Sequence, residues 1–97
     1  MRILNQLSIE RFAKKHADAR KSLSAWRMVV IGASWKKKQD VLSDFPKAKM
    51  LKYNRARFEI VHNYYRLIAE IDYDAESAEI RFIGTHNEYE KIDPLTI

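Results

Sequence analysis

In the stretch Arg57-Phe58-Glu59-Ile60-Val61-His62-Asn63-Tyr64-Tyr65-Arg66-Leu67-Ile68-Ala69-Glu70-Ile71-Asp72-Tyr73, apolar side chains fall at alternate positions on either side of His62-Asn63. A period of two puts successive side chains on opposite faces of a strand. Phe58 and Ile60 mark one strand and Tyr65, Leu67, Ala69, Ile71 and Tyr73 a second; Ile80 and Phe82, alternating with Glu79, Arg81 and Ile83, mark a third. The expectation is a three-stranded antiparallel meander. A two-residue loop at His62-Asn63, with Asn63 supplying the positive φ, pairs Val61 with Tyr64, Phe58 with Leu67 and Glu59 with Arg66. A second loop at Ala75-Glu76 pairs Asp74 with Ser77, and so sets Ala69 beside Phe82, Glu70 beside Arg81 and Arg66 beside Thr85. Arg66 then lies on the sheet face turned away from any helices, near the end of the last strand.

Upstream the period changes. Ile9, Phe12, His16, Ala19, Leu23, Trp26, Val30 and Ala33 recur in steps of three and four, with charged residues off the stripe, as in an amphipathic helix. Ser8 is the expected N-cap. One bent helix, or two with Asp18 capping the second, fit the pattern equally. Gly32 closes the stripe, Gln39–Phe45 is a short helical turn that Pro46 stops, Lys47–Asn54 is a basic loop, and Arg2-Ile3-Leu4-Asn5 is a short N-terminal strand. Helices followed by strands describe an α+β domain with the helices on one sheet face.

The 97 residues, 46% hydrophobic with two Gly, two Pro and no Cys, form one domain over 1–97 and exclude disordered and collagen-like architectures. Without Cys there is no disulfide framework, thiol catalysis or usual zinc set, and His16, His62 and His86 lack metal-motif spacing. No metal or cofactor is expected. No window approaches the ~18 apolar residues of a membrane span, and the first residues lack a signal-peptide core; a cytoplasmic protein without membrane association is expected. Charge is uneven: residues 1–57 hold 15 Lys/Arg against 4 Asp/Glu, and residues 58–97 hold 3 against 9. The basic half suits a polyanion such as nucleic acid, or is a solvated helical surface.

If residues 86–91 begin a helical turn, His86 and Tyr89 share a face beside Arg66. A base, a cation and a phenol are the parts needed to cut RNA without a metal: one group takes the 2′-hydroxyl proton, one stabilises the phosphorane-like charge, and one protonates the 5′-oxygen. The structural alternatives are an Arg66–Glu59 ion pair and a capping or turn role for His86. Lys47, Lys49, Lys52, Arg55 and Arg57 are expected phosphate contacts, and Tyr53 and Tyr64 either stack on unpaired bases or cover sheet edges. Arg81 is expected to pair with Glu70. Trp26 is expected in the core, and Trp35 is ambiguous.

The segments Arg57–Ile68 and Ile80-Arg81-Phe82-Ile83-Gly84-Thr85-His86-Asn87-Glu88-Tyr89-Glu90-Lys91-Ile92, with Trp35 and the Phe45-Pro46 stop, resemble the HigB toxins, RelE-like mRNA interferases of bacterial type II toxin–antitoxin systems. The resemblance implies a RelE-like α+β fold, with an N-terminal strand and two or three helices on a curved antiparallel sheet, and ribosome-dependent cleavage of mRNA that inhibits translation. It implies a HigA-type helix-turn-helix antitoxin as partner, alongside mRNA and ribosomal RNA. Arg66 matches the Tyr-Arg-Leu motif as charge stabiliser; His86 and Tyr89 match the Gly-Thr-His motif and share proton transfer. His62 stands where the family pattern has Gly, so the hairpin loop is open to another type and its register to a shift of one; Glu90 stands where Asp is usual. A non-catalytic RNA-binding or regulatory module using the same cations is the alternative function, and a purely structural interaction protein a third.

Overall fold

The computed structural model, covering residues 1–97, resolves the N-terminal stripe into two helices. The backbone leaves helical geometry at His16 (φ −127°, ψ 78°), between α1 (Leu7–Lys15) and a 3₁₀ turn, Ala17–Ala19, that leads into α2 (Arg20–Gly32). Neither expected cap is used. Gln6 precedes α1 without a side-chain cap bond, and Asp18 sits within the 3₁₀ turn, where its carboxylate accepts the Tyr65 hydroxyl at 2.8 Å. That bond holds the Tyr65 phenol above its ordinary pKa of 10.0, because the neighbouring carboxylate penalises phenolate. The stripe otherwise buries as the spacing requires: Ile9, Phe12, Ala19, Leu23, Trp26 and Val30 all enter the core.

The sheet has five strands, in the order β1-β5-β4-β3-β2: the expected N-terminal strand and three-stranded meander, with one strand more. β1 (Arg2–Leu4) lies parallel to β5 (Ser77–Thr85); β2 (Lys49–Met50), inside the segment expected as a basic loop, lies antiparallel to β3 (Arg55–Ile60). β4 (Tyr65–Asp72) is central. The N-terminal edge strand lies where it was expected, whereas β2 was obscured by brevity, since two residues are too few to show a period. Between α2 and β2, α3 (Lys38–Asp44) ends before Phe45-Pro46 as expected.

The β3–β4 register holds: Phe58 lies opposite Leu67, and Glu59 opposite Arg66. The loop is of another type, though. It runs over Val61–Tyr64, and the positive φ values belong to Val61 (52°) and His62 (57°), not Asn63. Left-handed geometry at a β-branched residue is disfavoured; the flanking ladder and the Tyr64 N–H bond to the Val61 carbonyl (3.1 Å) maintain it. The β4–β5 register departs from expectation. The turn spans Tyr73–Glu76, pairing Asp72 with Ser77, Ala69 with Ile80 and Glu70 with Glu79. A bulge between Ile68 and Ala69 then shifts the ladder, so that Arg66 faces Gly84 and Tyr65 faces Thr85. A bulge inserts one residue without a sequence signature of its own.

Helices cover one face, where Ala56, Phe58, Ile60, Leu67, Ala69, Ile71, Ala78 and Ile80 meet the α1 and α2 stripe. Trp26 packs edge-on against Phe58 with centroids 5.4 Å apart. Trp35 is also buried, donating its indole N–H to Asp44 at 2.8 Å. No helix is long and apolar enough to cross a membrane. Because Leu67 is fully buried and Tyr64 is 67% exposed, Leu67→Ala should cost about 2–5 kcal/mol in urea unfolding, whereas Tyr64→Ala should stay within about 0.5 kcal/mol. Equal effects would contradict this packing.

Candidate active site

The second sheet face carries Arg57, Glu59, Arg66, Ile68 and Phe82, and it is not bare. After β5 the chain turns into α4 (His86–Glu90), which packs back on β4 and β5. Thr85 is the N-cap: its side chain accepts the Glu88 N–H at 3.1 Å, and Glu88 Oε1 accepts the Thr85 N–H at 2.8 Å. This reciprocal pair is a capping box, and the Thr85-x-x-Glu88 spacing is its sequence signal. Gly84 permits the close approach. A Cβ there would lie 2.6 Å from Cζ of Phe82 and 3.0 Å from Oε1 of Glu88, so a larger residue would displace the ring or open the cap.

Tyr89 is thereby laid beside the sheet. Its ring centroid is 4.8 Å from Cζ of Arg66, 5.8 Å from Cζ of Arg57 and 6.2 Å from the Phe82 ring. Arg66 is only 9% exposed, yet it forms no ion pair with Glu59 or any other carboxylate, and neither does Arg57. The cross-strand pair offered as the structural alternative for Arg66 is therefore not formed. Arg66 instead donates from Nε (3.1 Å) and Nη2 (3.0 Å) to Oδ1 of Asn63. Its Nη1 makes no hydrogen bond within the protein and keeps solvent contact, as does the Tyr89 hydroxyl.

His86 opens α4, and its backbone N–H donates to the Tyr64 carbonyl at 3.0 Å, joining the start of the helix to the hairpin loop. The capping role belongs to Thr85. The imidazole is partly exposed, with Nε2 3.5 Å from Glu90 Oε1. Together with His62, Asn63, Tyr64, Thr85 and Asn87 it lines an open depression. Arg66 is tied to this depression through its bonds to Asn63, and Tyr89 lies against Arg66 outside the depression's lining.

The basic residues divide. Lys49 lies opposite Arg57 across the β2–β3 pair, and Lys47 borders a hollow with Glu59. Arg55, one of the expected phosphate contacts, is engaged within the protein. It is 7% exposed and donates to the main-chain oxygens of Tyr53 and Ile97, so the guanidinium serves the C-terminal segment. Lys52 and Tyr53 precede β3 whereas Tyr64 follows it, which separates them by about 20 Å of strand. Tyr53 and Tyr64 are both exposed. Arg81, in the bulge, bridges Glu70 (3.8 Å) and Glu79 (3.3 Å) and donates to Ile97; the expected Glu70 pair forms despite the changed register.

A mixed five-stranded sheet with helices on one face and this cationic end on the other belongs to the RelE-like fold class. Residues 19–92, everything from the start of α2 through α4, match the family model of the HigB toxin, the RelE-like toxic component of a toxin–antitoxin system. The chain belongs to this family, and an antitoxin is its implied partner. No curated protein sequence matches it.

The Thr85 backbone N–H holds the Glu88 carboxyl below its ordinary pKa of 4.5; burial opposes this, and the Thr85 side chain, His16 and Lys15 reinforce it. The unfolded chain therefore binds this proton more readily, so the cap's contribution is complete above pH 4.5 and is lost as pH falls through the depressed folded value. Between about pH 7 and 3 the melting-temperature advantage of wild type over Glu88→Gln should shrink. A constant difference would show that the cap is not linked to this proton.

Proposed function

We propose that the protein is a metal-independent endoribonuclease that cuts mRNA on the ribosome and so inhibits translation. The observation carrying this reading is the pair of guanidiniums, Arg57 and Arg66, set against one phenol with no carboxylate to neutralise either. Desolvated cations without counter-charges suit an incoming anion, and charge that grows at a phosphate in the transition state is bound more tightly than the ground state. Tyr89 lies against both guanidiniums, and Asn63 joins Arg66 to the depression that His86 lines.

In the proposed reaction the 2′-oxygen attacks phosphorus while His86 or Tyr89 takes its proton. The bond from phosphorus to the 5′-oxygen breaks, and the other group protonates that oxygen. The products are a 2′,3′-cyclic phosphate, which water opens to a 3′-phosphate, and a 5′-hydroxyl. Arg66 stabilises the charge on the non-bridging oxygens, with Arg57 adding to the local potential. Lys47 and Lys49 extend the cationic border, Tyr64 offers a stacking surface at the depression, and Lys52 and Tyr53 reach ribosomal RNA from the far end of β3. The setting is the bacterial cytoplasm, and the antitoxin is of the HigA helix-turn-helix type.

Induced wild-type protein should arrest bacterial growth, and purified protein should cut ribosome-bound mRNA to 5′-hydroxyl ends. Arg66→Ala should slow cleavage about 10²–10³-fold and His86→Ala about 10²–10⁴-fold, both retaining the wild-type circular dichroism spectrum. Wild-type cleavage by the folded double variant would eliminate this site. RNA binding without scission by the wild type would leave the non-catalytic module instead.

A further inference from the structure

Asn63 has the position of a turn residue, but the turn does not need it. Left-handed backbone geometry falls on Val61 and His62, leaving position 63 open to any L-residue on conformational grounds. Its side chain does something else: Oδ1 accepts from both Nε and Nη2 of Arg66, at 3.1 and 3.0 Å. A guanidinium has two edges able to fork onto a pair of phosphate oxygens, the side edge Nε/Nη2 and the end edge Nη2/Nη1. Asn63 occupies the side edge. The Tyr89 ring lies at 4.8 Å, and Nη1 is the terminal nitrogen that keeps solvent contact without a protein partner.

We infer that Asn63 is a positioning residue that clamps the side edge of Arg66, so that only the Nη2/Nη1 edge is presented to the non-bridging oxygens of the scissile phosphodiester. The residue type fits the task. An amide oxygen fixes orientation and leaves the cation's full charge for substrate, whereas a carboxylate in the same place would neutralise it. A free guanidinium on its long stem would have to be ordered during the reaction; a clamped one is already ordered. The inference rests on the reading that Arg66 stabilises charge at the cleaved phosphate.

The test compares wild type, Asn63→Ala and Arg66→Ala in single-turnover cleavage of ribosome-bound mRNA. ¹H–¹⁵N spectra of the Arg66 Nε–H and thermal melts are recorded on the free proteins. For Asn63→Ala the maximal rate should fall about 10–100-fold, while the protein concentration at half-maximal rate changes less than about threefold. The Arg66 Nε–H signal should be protected from solvent exchange in wild type and lose that protection in Asn63→Ala without a change in melting temperature. Absence of wild-type cleavage, or undiminished cleavage by Arg66→Ala, would overturn the underlying reading and this inference with it. Slow Arg66→Ala beside full-speed Asn63→Ala, or beside an Asn63→Ala altered only in half-saturation, would overturn the positioning role alone. A rapidly exchanging Arg66 Nε–H in the wild type would overturn it whether or not the variant folds.

Discussion

Arg66 is a nearly buried cation with no carboxylate beside it. Removing a charge from water costs several kcal/mol unless something replaces its hydration. Here the replacement is neutral: an amide oxygen at one edge and a phenol ring against the guanidinium, with Nη1 left to solvent. A cation–π contact of this kind contributes about 0.5–2 kcal/mol, and hydrogen bonds to a charged group about 1.5–3 kcal/mol. The charge is therefore tolerated but not cancelled. Arg57, against the same ring, adds a second positive charge at short range, an arrangement of the kind that suits an anion.

The surrounding fold supplies what this arrangement needs. The helices bury the opposite face and leave β4 fixed from below, with Leu67, Ala69 and Ile71 fully enclosed. The β3–β4 pairing sets Arg66 beside its hairpin loop, bringing Asn63 within reach; the β4–β5 pairing sets it beside Gly84, two residues before α4 begins. Gly84 and the Thr85–Glu88 box then bring α4 down so that Tyr89 meets both arginines. Position on a central strand gives the cation a rigid base, and short local devices furnish its surroundings.

Much of this was legible from the residues. Alternation over Phe58–Tyr73 gave the hairpin register because a one-residue slip would have turned Leu67 and Phe58 out of the core. Helical spacing located Trp26 and Leu23 correctly. What escaped were features without a period: the bulge, the two-residue β2, the four-residue turns and the bonding of single side chains. Arg55 and Arg57 are separated by one residue and identical in chemistry, yet one is tied to the chain's own C-terminal segment and the other faces Tyr89. No local pattern separates them, because the difference is made by residues some thirty or more positions away. Asn63 was hidden for a different reason: a common turn residue in a turn calls for no further explanation until its side-chain bonds are known.

The most direct measurement is the structure of the protein on a ribosome carrying mRNA made uncleavable by a 2′-deoxy substitution at the scissile nucleotide. The scissile phosphate should lie within hydrogen-bond distance of Arg66 Nη1 and Nη2, with Arg57 nearby and the hydroxyl of Tyr89 or the ring of His86 facing the sugar and leaving oxygen. A phosphate bound elsewhere on the domain, with Arg66 turned to Glu59, would contradict the chemistry assigned to this site.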